Sequence, residues 1–177
     1  MPKNILLGIS GCISAYKMPE YVRFFIKKGY EVKVILTSCA QKFVTETTLA
    51  TLSRNPVYID IFAPENGWMP QHIALAQWAD VFLCAPLSAD MLSKVASGFS
   101  NDLLLATLLA YEGSVVLCPS MNDVMYKNEV IQSHLNSLKK IDRYSFIEPV
   151  KGDLACLSHG IGRLPSVQNI YEKIILL

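Results

Sequence analysis

Four runs of mostly apolar, often β-branched residues punctuate the chain at 5–10, 31–37, 81–85 and 114–118. They are largely continuous rather than alternating, which predicts strands buried on both faces, as in a parallel sheet covered by helices. Between and after them the apolar spacing predicts helices at 13–28, 41–45, 48–54, 73–78, 89–98, 102–111, 128–139 and 166–176. Strand and helix therefore alternate, and an open, doubly wound α/β sheet follows. Two stretches fit neither period: 63–71, with two Pro and one Gly, and 148–165, with three Gly. The second reads as a mobile loop long enough to have a function.

Composition narrows the class. With 51% hydrophobic and 18% charged residues the 177-residue chain is globular, and apolar enough to bury surface against copies of itself. A net charge of +1 without an extended basic run gives no footprint for nucleic acid. No apolar run reaches membrane-spanning length, and the first one is too short for a signal peptide, so no membrane partner and a cytoplasmic location are expected. The five cysteines, Cys12, Cys39, Cys84, Cys118 and Cys156, show no CxxC spacing, which argues against a disulfide framework or a metal site.

Candidate chemistry collects in the turns that follow the strands. Gly8-Ile9-Ser10-Gly11-Cys12-Ile13-Ser14 joins the first strand to a helix start, where glycines allow close backbone approach and Ser10 and Ser14 offer hydroxyls. A phosphate site and an ordinary tight turn both fit, and the spacing is neither that of a dinucleotide nor of a triphosphate loop. Turns containing Thr37 and Ser38, Pro86 to Asp90, and Pro119 to Asn122 open after the other strands and would converge on one crevice. Ser88 and Asp90 read equally as helix caps.

Farther on, His72 lies just ahead of a predicted helix, where it would act as a base, orient a ligand, or simply pack. Asn122 lies in Pro119-Ser120-Met121-Asn122-Asp123-Val124-Met125-Tyr126, and Cys156 in Gly152-Asp153-Leu154-Ala155-Cys156. Lys17 and Arg163 are unassigned cations, each either a phosphate ligand or a solvated charge. Trp68, Trp78 and Phe43 are candidates to lie against an aromatic ring or to pack.

In these blocks, and in their order along nearly the whole chain, the sequence resembles the flavin-dependent cysteine decarboxylases, which include phosphopantothenoylcysteine decarboxylases and the peptidyl-cysteine decarboxylases of lantibiotic maturation. Leu87, Asp90 and Met91 depart from the PASANT block usual there. The resemblance implies a single Rossmann-like (flavodoxin-like) three-layer sandwich over 1–177, with a substrate lid at about 148–165. It implies FMN held at a subunit interface of a homotrimer or an assembly of trimers, with Gly8, Ser10, Gly11, Ser14, Thr37, Ser38, Phe43, Pro86, Ser88, Ala89 and Asp90 as cofactor residues. Catalytic roles fall on His72 and Cys156, and substrate contacts on Asn122, Met125 and Ala155.

The implied reaction converts 4'-phosphopantothenoylcysteine to 4'-phosphopantetheine. A cysteine carboxylate cannot leave as carbon dioxide without an electron sink. Hydride transfer to a flavin creates one, through a thioaldehyde and then an ene-thiolate. An amide such as Asn122 suits the carboxylate, because a full salt bridge would stabilise it more than the neutral product. Cys156 would return a proton to the ene-thiol from a closing lid. Peptidyl-cysteine decarboxylation, flavin prenyl transfer and a non-catalytic regulatory subunit are the alternatives; the Asn122 and Cys156 blocks count against prenyl transfer, and the absence of a lost catalytic residue or an acidic tail counts against the regulatory subunit.

Overall fold

The structure is a computed structural model that describes residues 3–63, 68–153 and 159–176. Its sheet contains β1 (Asn4–Ile9), β2 (Glu31–Leu36), β3 (Val57–Tyr58), β4 (Val81–Leu87), β5 (Val115–Pro119) and β6 (Tyr144–Phe146). The strands are parallel in the order β3-β2-β1-β4-β5-β6. The chain winds outward from β1 and then from β4, so its direction reverses between those two strands. A doubly wound sheet opens its ligand crevice there, beyond the strand carboxyl ends.

Eight α-helices are described: α1 (Met18–Lys27), α2 (Glu46–Ser53), α3 (Gln71–Trp78), α4 (Ala89–Ala96), α5 (Leu103–Ala110), α6 (Asp123–Lys127), α7 (Glu129–Leu138) and α8 (Val167–Ile174). The pleat of the sheet divides the core in two. Ile5, Leu7 and Ile9 pack with Val22 and Phe25 of α1 and Ile170 of α8. Leu6 faces the opposite layer with Phe82, Leu104 and Leu135. Gly8 falls on that second face, where an added Cβ would lie 2.8 Å from Leu104 Cδ1. Its glycine lets α5 sit close against β1.

Several elements differ from the sequence expectation. The helix expected at 13–28 begins as a 3₁₀ turn, Ile13–Lys17, before α1 takes over with Pro19 in its first turn. The helix expected at 41–45 shrinks to a 3₁₀ turn, Ala40–Lys42. Two short strands, β3 and β6, and the helix α6 were not anticipated, because elements of two to five residues carry too little periodicity. The stretch read as a loop at 148–165 contains an antiparallel pair, β7 (Val150–Asp153) and β8 (His159–Arg163). Ala155 and Cys156, between those strands, lie outside the described residues.

Candidate ligand-binding crevice

A cavity of about 780 Å³ opens at the carboxyl edge of β1, β4 and β5. That is within the range of small-ligand pockets. One wall is the turn after β1, including Gly11, Ser14 and Lys17. A second is Ser88, Ala89 and Asp90 at the start of α4, and a third comes from Ser120 to Asn122 with Met125. Asp153 of β7 and Gly162 and Arg163 of β8 complete the rim.

Hydrogen bonds explain how distant segments meet. Ser10 is 1% exposed; its hydroxyl donates to the Pro86 carbonyl at 2.7 Å and accepts from the Ser88 N–H at 2.7 Å. The β1 and β4 turns are thereby locked together. The Ser88 hydroxyl in turn accepts from Met91 N–H, so the capping reading of Ser88 holds while the residue also faces the cavity. Ser120 joins a third segment: its hydroxyl lies 2.8 Å from that of Ser14 and donates to the Gly162 carbonyl at 3.2 Å, while Met121 N–H donates to the same carbonyl.

Glycines seat β8 on this turn. A Cβ on Gly162 would lie 2.0 Å from the Met121 carbonyl oxygen, and one on Gly160 would lie 2.6 Å from the Asp123 carboxyl carbon. No larger residue allows that approach. Asn122 caps α6 by accepting from Val124 N–H at 2.9 Å, which fixes the plane of its amide beside the cavity.

Of the residues expected to hold a cofactor, Gly11, Ser14, Ser88, Ala89 and Asp90 line the cavity; so do Asn122 and Met125 from the substrate set. Gly8, Ser10, Thr37, Ser38, Phe43 and Pro86 are not among its walls. Gly8 packs under α5 and Ser10 is spent on the β1–β4 junction, while Thr37 Oγ1 accepts from Ala40 N–H. Ser38 is exposed and Phe43 is 40% exposed. His72 occupies the first turn of α3, half-buried, and is not a wall of this cavity. Trp78 packs beside the second core layer, with the Lys33 ammonium 4.5 Å from its ring centre, and Trp68 is 89% exposed.

Sequence reasoning put Cys12 and Ser120 in turns converging on the crevice but gave them no role, and it missed that of Gly162, whose signal was the Gly160-x-Gly162 spacing that marks close backbone approach within a strand. Burial pushes the Cys12 thiol upward, against hydrogen bonds from Ser14, Ser120 and Ala15, which disfavours its thiolate. Among the described residues no cluster could hold a metal ion, and no described helix is long and apolar enough to cross a membrane.

The fold and crevice define a doubly wound α/β protein with a small-ligand cavity at its strand-reversal point. The chain belongs to the Flavoprotein family, whose model matches residues 1–177. It is 40% identical over 98% of its length to a probable phosphopantothenoylcysteine decarboxylase of Streptococcus mutans, 98% of which is covered. It is also 40% identical over 96% of its length to a coenzyme A biosynthesis bifunctional protein of Bacillus subtilis, of which it spans 42%. A PPC decarboxylase mutant complexed with pantothenoylaminoethenethiol superimposes with a TM-score of 0.88 at 29% identity, covering 99% of this chain and 98% of that one. The FMN-dependent cysteine decarboxylase SpaF gives a TM-score of 0.85 at 26% identity, covering 98% and 95%.

Proposed function

We propose that this protein is an FMN-dependent, cytoplasmic phosphopantothenoylcysteine decarboxylase that yields 4'-phosphopantetheine for coenzyme A biosynthesis and works as a homotrimer. The observation that carries the reading is the convergence of Asn122 and Met125 with the Gly11–Ser14 turn on one cavity. The likeness to a probable decarboxylase of the same length supports it. The donor set fits FMN: Gly11, Ser14 and Ser88 supply small and hydroxyl-bearing walls for a phosphate, and Ile13, Met121 and Met125 supply apolar ones for a ring. When bound, the flavin provides the hydride acceptor that turns the sulfur-bearing carbon into an electron sink.

The chain's own residues do the rest. Asn122, a wall of the cavity, is the neutral amide that meets the substrate carboxylate and lets it depart as carbon dioxide without a salt bridge to break. Met125, 49% exposed, forms an apolar wall that excludes water from that carboxylate. The segment between β7 and β8 acts as the lid: Ala155 contacts substrate, and the Cys156 thiol gives a proton to the ene-thiol so that it can be reduced.

His72, absent from the cavity of its own chain, serves as base for a neighbouring copy. Exposed apolar side chains favour that assembly, with Ile13 at 53%, Tyr16 at 59% and Phe62 at 87% exposure. A visible absorption spectrum together with sedimentation followed at protein and flavin wavelengths tests both points. Flavin should travel with the trimer and be released on dilution to monomer; a colourless protein that cannot be reconstituted with FMN, or a flavin-loaded monomer, would overturn the reading.

A further inference from the structure

The charged residues around the cavity are unevenly paired. Four of its walls carry a formal charge near neutral pH: Asp90, Asp153, Lys17 and Arg163. Asp90 is paired with Lys94 at 2.8 Å, and Asp153 lies 3.0 Å from the His159 ring nitrogen at the exposed end of the hairpin. Neither cation is in an ion pair with a described residue. Lys17 has its ammonium 5.9 Å from the centre of the Tyr16 ring, a face that does not neutralise it. Arg163 lies back across β7: a Cβ on Gly152 would fall 2.4 Å from its Nη1 and 3.1 Å from its Cδ. Gly152 thus makes room for a guanidinium laid along the hairpin at the rim.

Two cations without ion pairs on one rim suit an anionic group of the ligand. Two phosphate monoesters are candidates, the flavin's and the substrate's, and the position of Arg163 decides between them. It follows Gly162, whose carbonyl receives the Met121 N–H and the Ser120 hydroxyl. Arg163 is therefore tied to the segment that carries Asn122, on the side of the cavity assigned above to the substrate. The turn after β1, by contrast, presents Gly11 and Ser14, the neutral donors suited to the flavin phosphate.

We propose that Arg163, seconded by Lys17, is the receptor for the terminal phosphate of the substrate and sets the preference for a phosphorylated pantetheine chain over an unphosphorylated one. Arginine is suited to this, since its planar fork meets a phosphate with two parallel hydrogen bonds. The inference rests on the proposed function above.

The test uses the flavin-loaded protein and calorimetric titration with 4'-phosphopantetheine and with pantetheine, comparing wild type, Arg163→Met and Lys17→Met. Wild type should prefer the phosphorylated ligand, and Arg163→Met should shrink that preference about 10- to 100-fold, as expected for loss of a charge-assisted bidentate contact. Lys17→Met should shrink it less, and flavin content should stay at the wild-type level. An unchanged preference in Arg163→Met, or loss of flavin in either variant, would overturn the proposal. Wild type that binds both ligands equally yet decarboxylates the phosphorylated substrate refutes the phosphate subsite alone; wild type that binds neither and turns nothing over refutes the functional reading beneath it.

Discussion

Two regions bound the crevice, and they are built by different physics. The β1–β4 edge is dry and hydrogen-bonded: Ser10 is 1% exposed, and its hydroxyl bridges a carbonyl and an amide from β4 and the turn beyond it. The opposite side contains no buried residue within α6; β8 is seated there by glycine-permitted approach and by the Ser120 hydroxyl and Met121 N–H on the Gly162 carbonyl, and the rest of α6 and β7 is held by surface charge. Lys127 pairs with Asp123 at 2.9 Å, and Glu148 accepts from both Lys139 and Tyr126. Exposed pairs of this kind are worth about 0–1 kcal/mol each. A buried, doubly used hydroxyl contributes more, because its loss strands two polar groups. The edge assigned to the cofactor should therefore open only with the whole fold, and the edge assigned to the substrate should open locally.

The largest expected effect falls outside both regions. His72→Asn should keep flavin and assembly and cut turnover about 10²–10⁴-fold, the usual contribution of a general base. A loss below about tenfold in steady-state kinetics would return His72 to a packing role. Next, Gly162→Ala tests whether the substrate side is a positioning device. Its new Cβ would meet the Met121 carbonyl at 2.0 Å and push β8 off the Asn122 turn. A displacement near 1 Å can cost roughly 100-fold in rate, so turnover should collapse while flavin content, read from absorbance, is retained.

Ser10→Ala should do the reverse. It leaves the Ser88 N–H and the Pro86 carbonyl without their buried partner, costing about 1–3 kcal/mol, and in a chain of this size each kcal/mol lowers Tm by about 2–4 °C. If calorimetry shows Gly162→Ala melting earlier than Ser10→Ala, the contrast between the regions is wrong. The smallest effect concerns acid. Burial raises the Glu148 carboxyl, but hydrogen bonds from Lys139 and Tyr126 outweigh it and hold the group below its ordinary value of 4.5. Its contribution is complete above that pH and fades as pH falls through the lower folded value. The stability gap between wild type and Glu148→Gln should accordingly be constant near neutrality and close on acidification in denaturant titrations.

What the sequence revealed tracks these same differences. The runs at 5–10, 31–37, 81–85 and 114–118 became β1, β2, β4 and β5 because strands buried on both faces leave a continuous apolar record. β7 and β8 were invisible for the opposite reason: Val150–Asp153 and His159–Arg163 alternate Gly with exposed residues, and β8 is seated on a distant turn, whose Met121 N–H donates to the Gly162 carbonyl, rather than by its own hydrophobicity. The turns at Gly11, Ser88 and Asn122 were legible as a converging set because a doubly wound sheet fixes where strand ends lie. The division of labour among hydroxyls was not. Ser10 and Ser14 look alike in sequence, yet one is consumed inside the fold and the other faces the cavity.

The central claim, that this crevice removes the carboxylate of a phosphorylated pantothenoyl cysteine, is tested most directly by product analysis of Cys156→Ser beside wild type. With 4'-phosphopantothenoylcysteine as substrate, mass spectrometry should find 4'-phosphopantetheine from the wild type. The variant should still release carbon dioxide but accumulate the oxidised ene-thiol and leave the flavin reduced. Equal yields of saturated thiol from both proteins would remove Cys156 from the chemistry, and a flavin-loaded wild type that leaves this substrate intact while decarboxylating a peptide ending in cysteine would contradict the account.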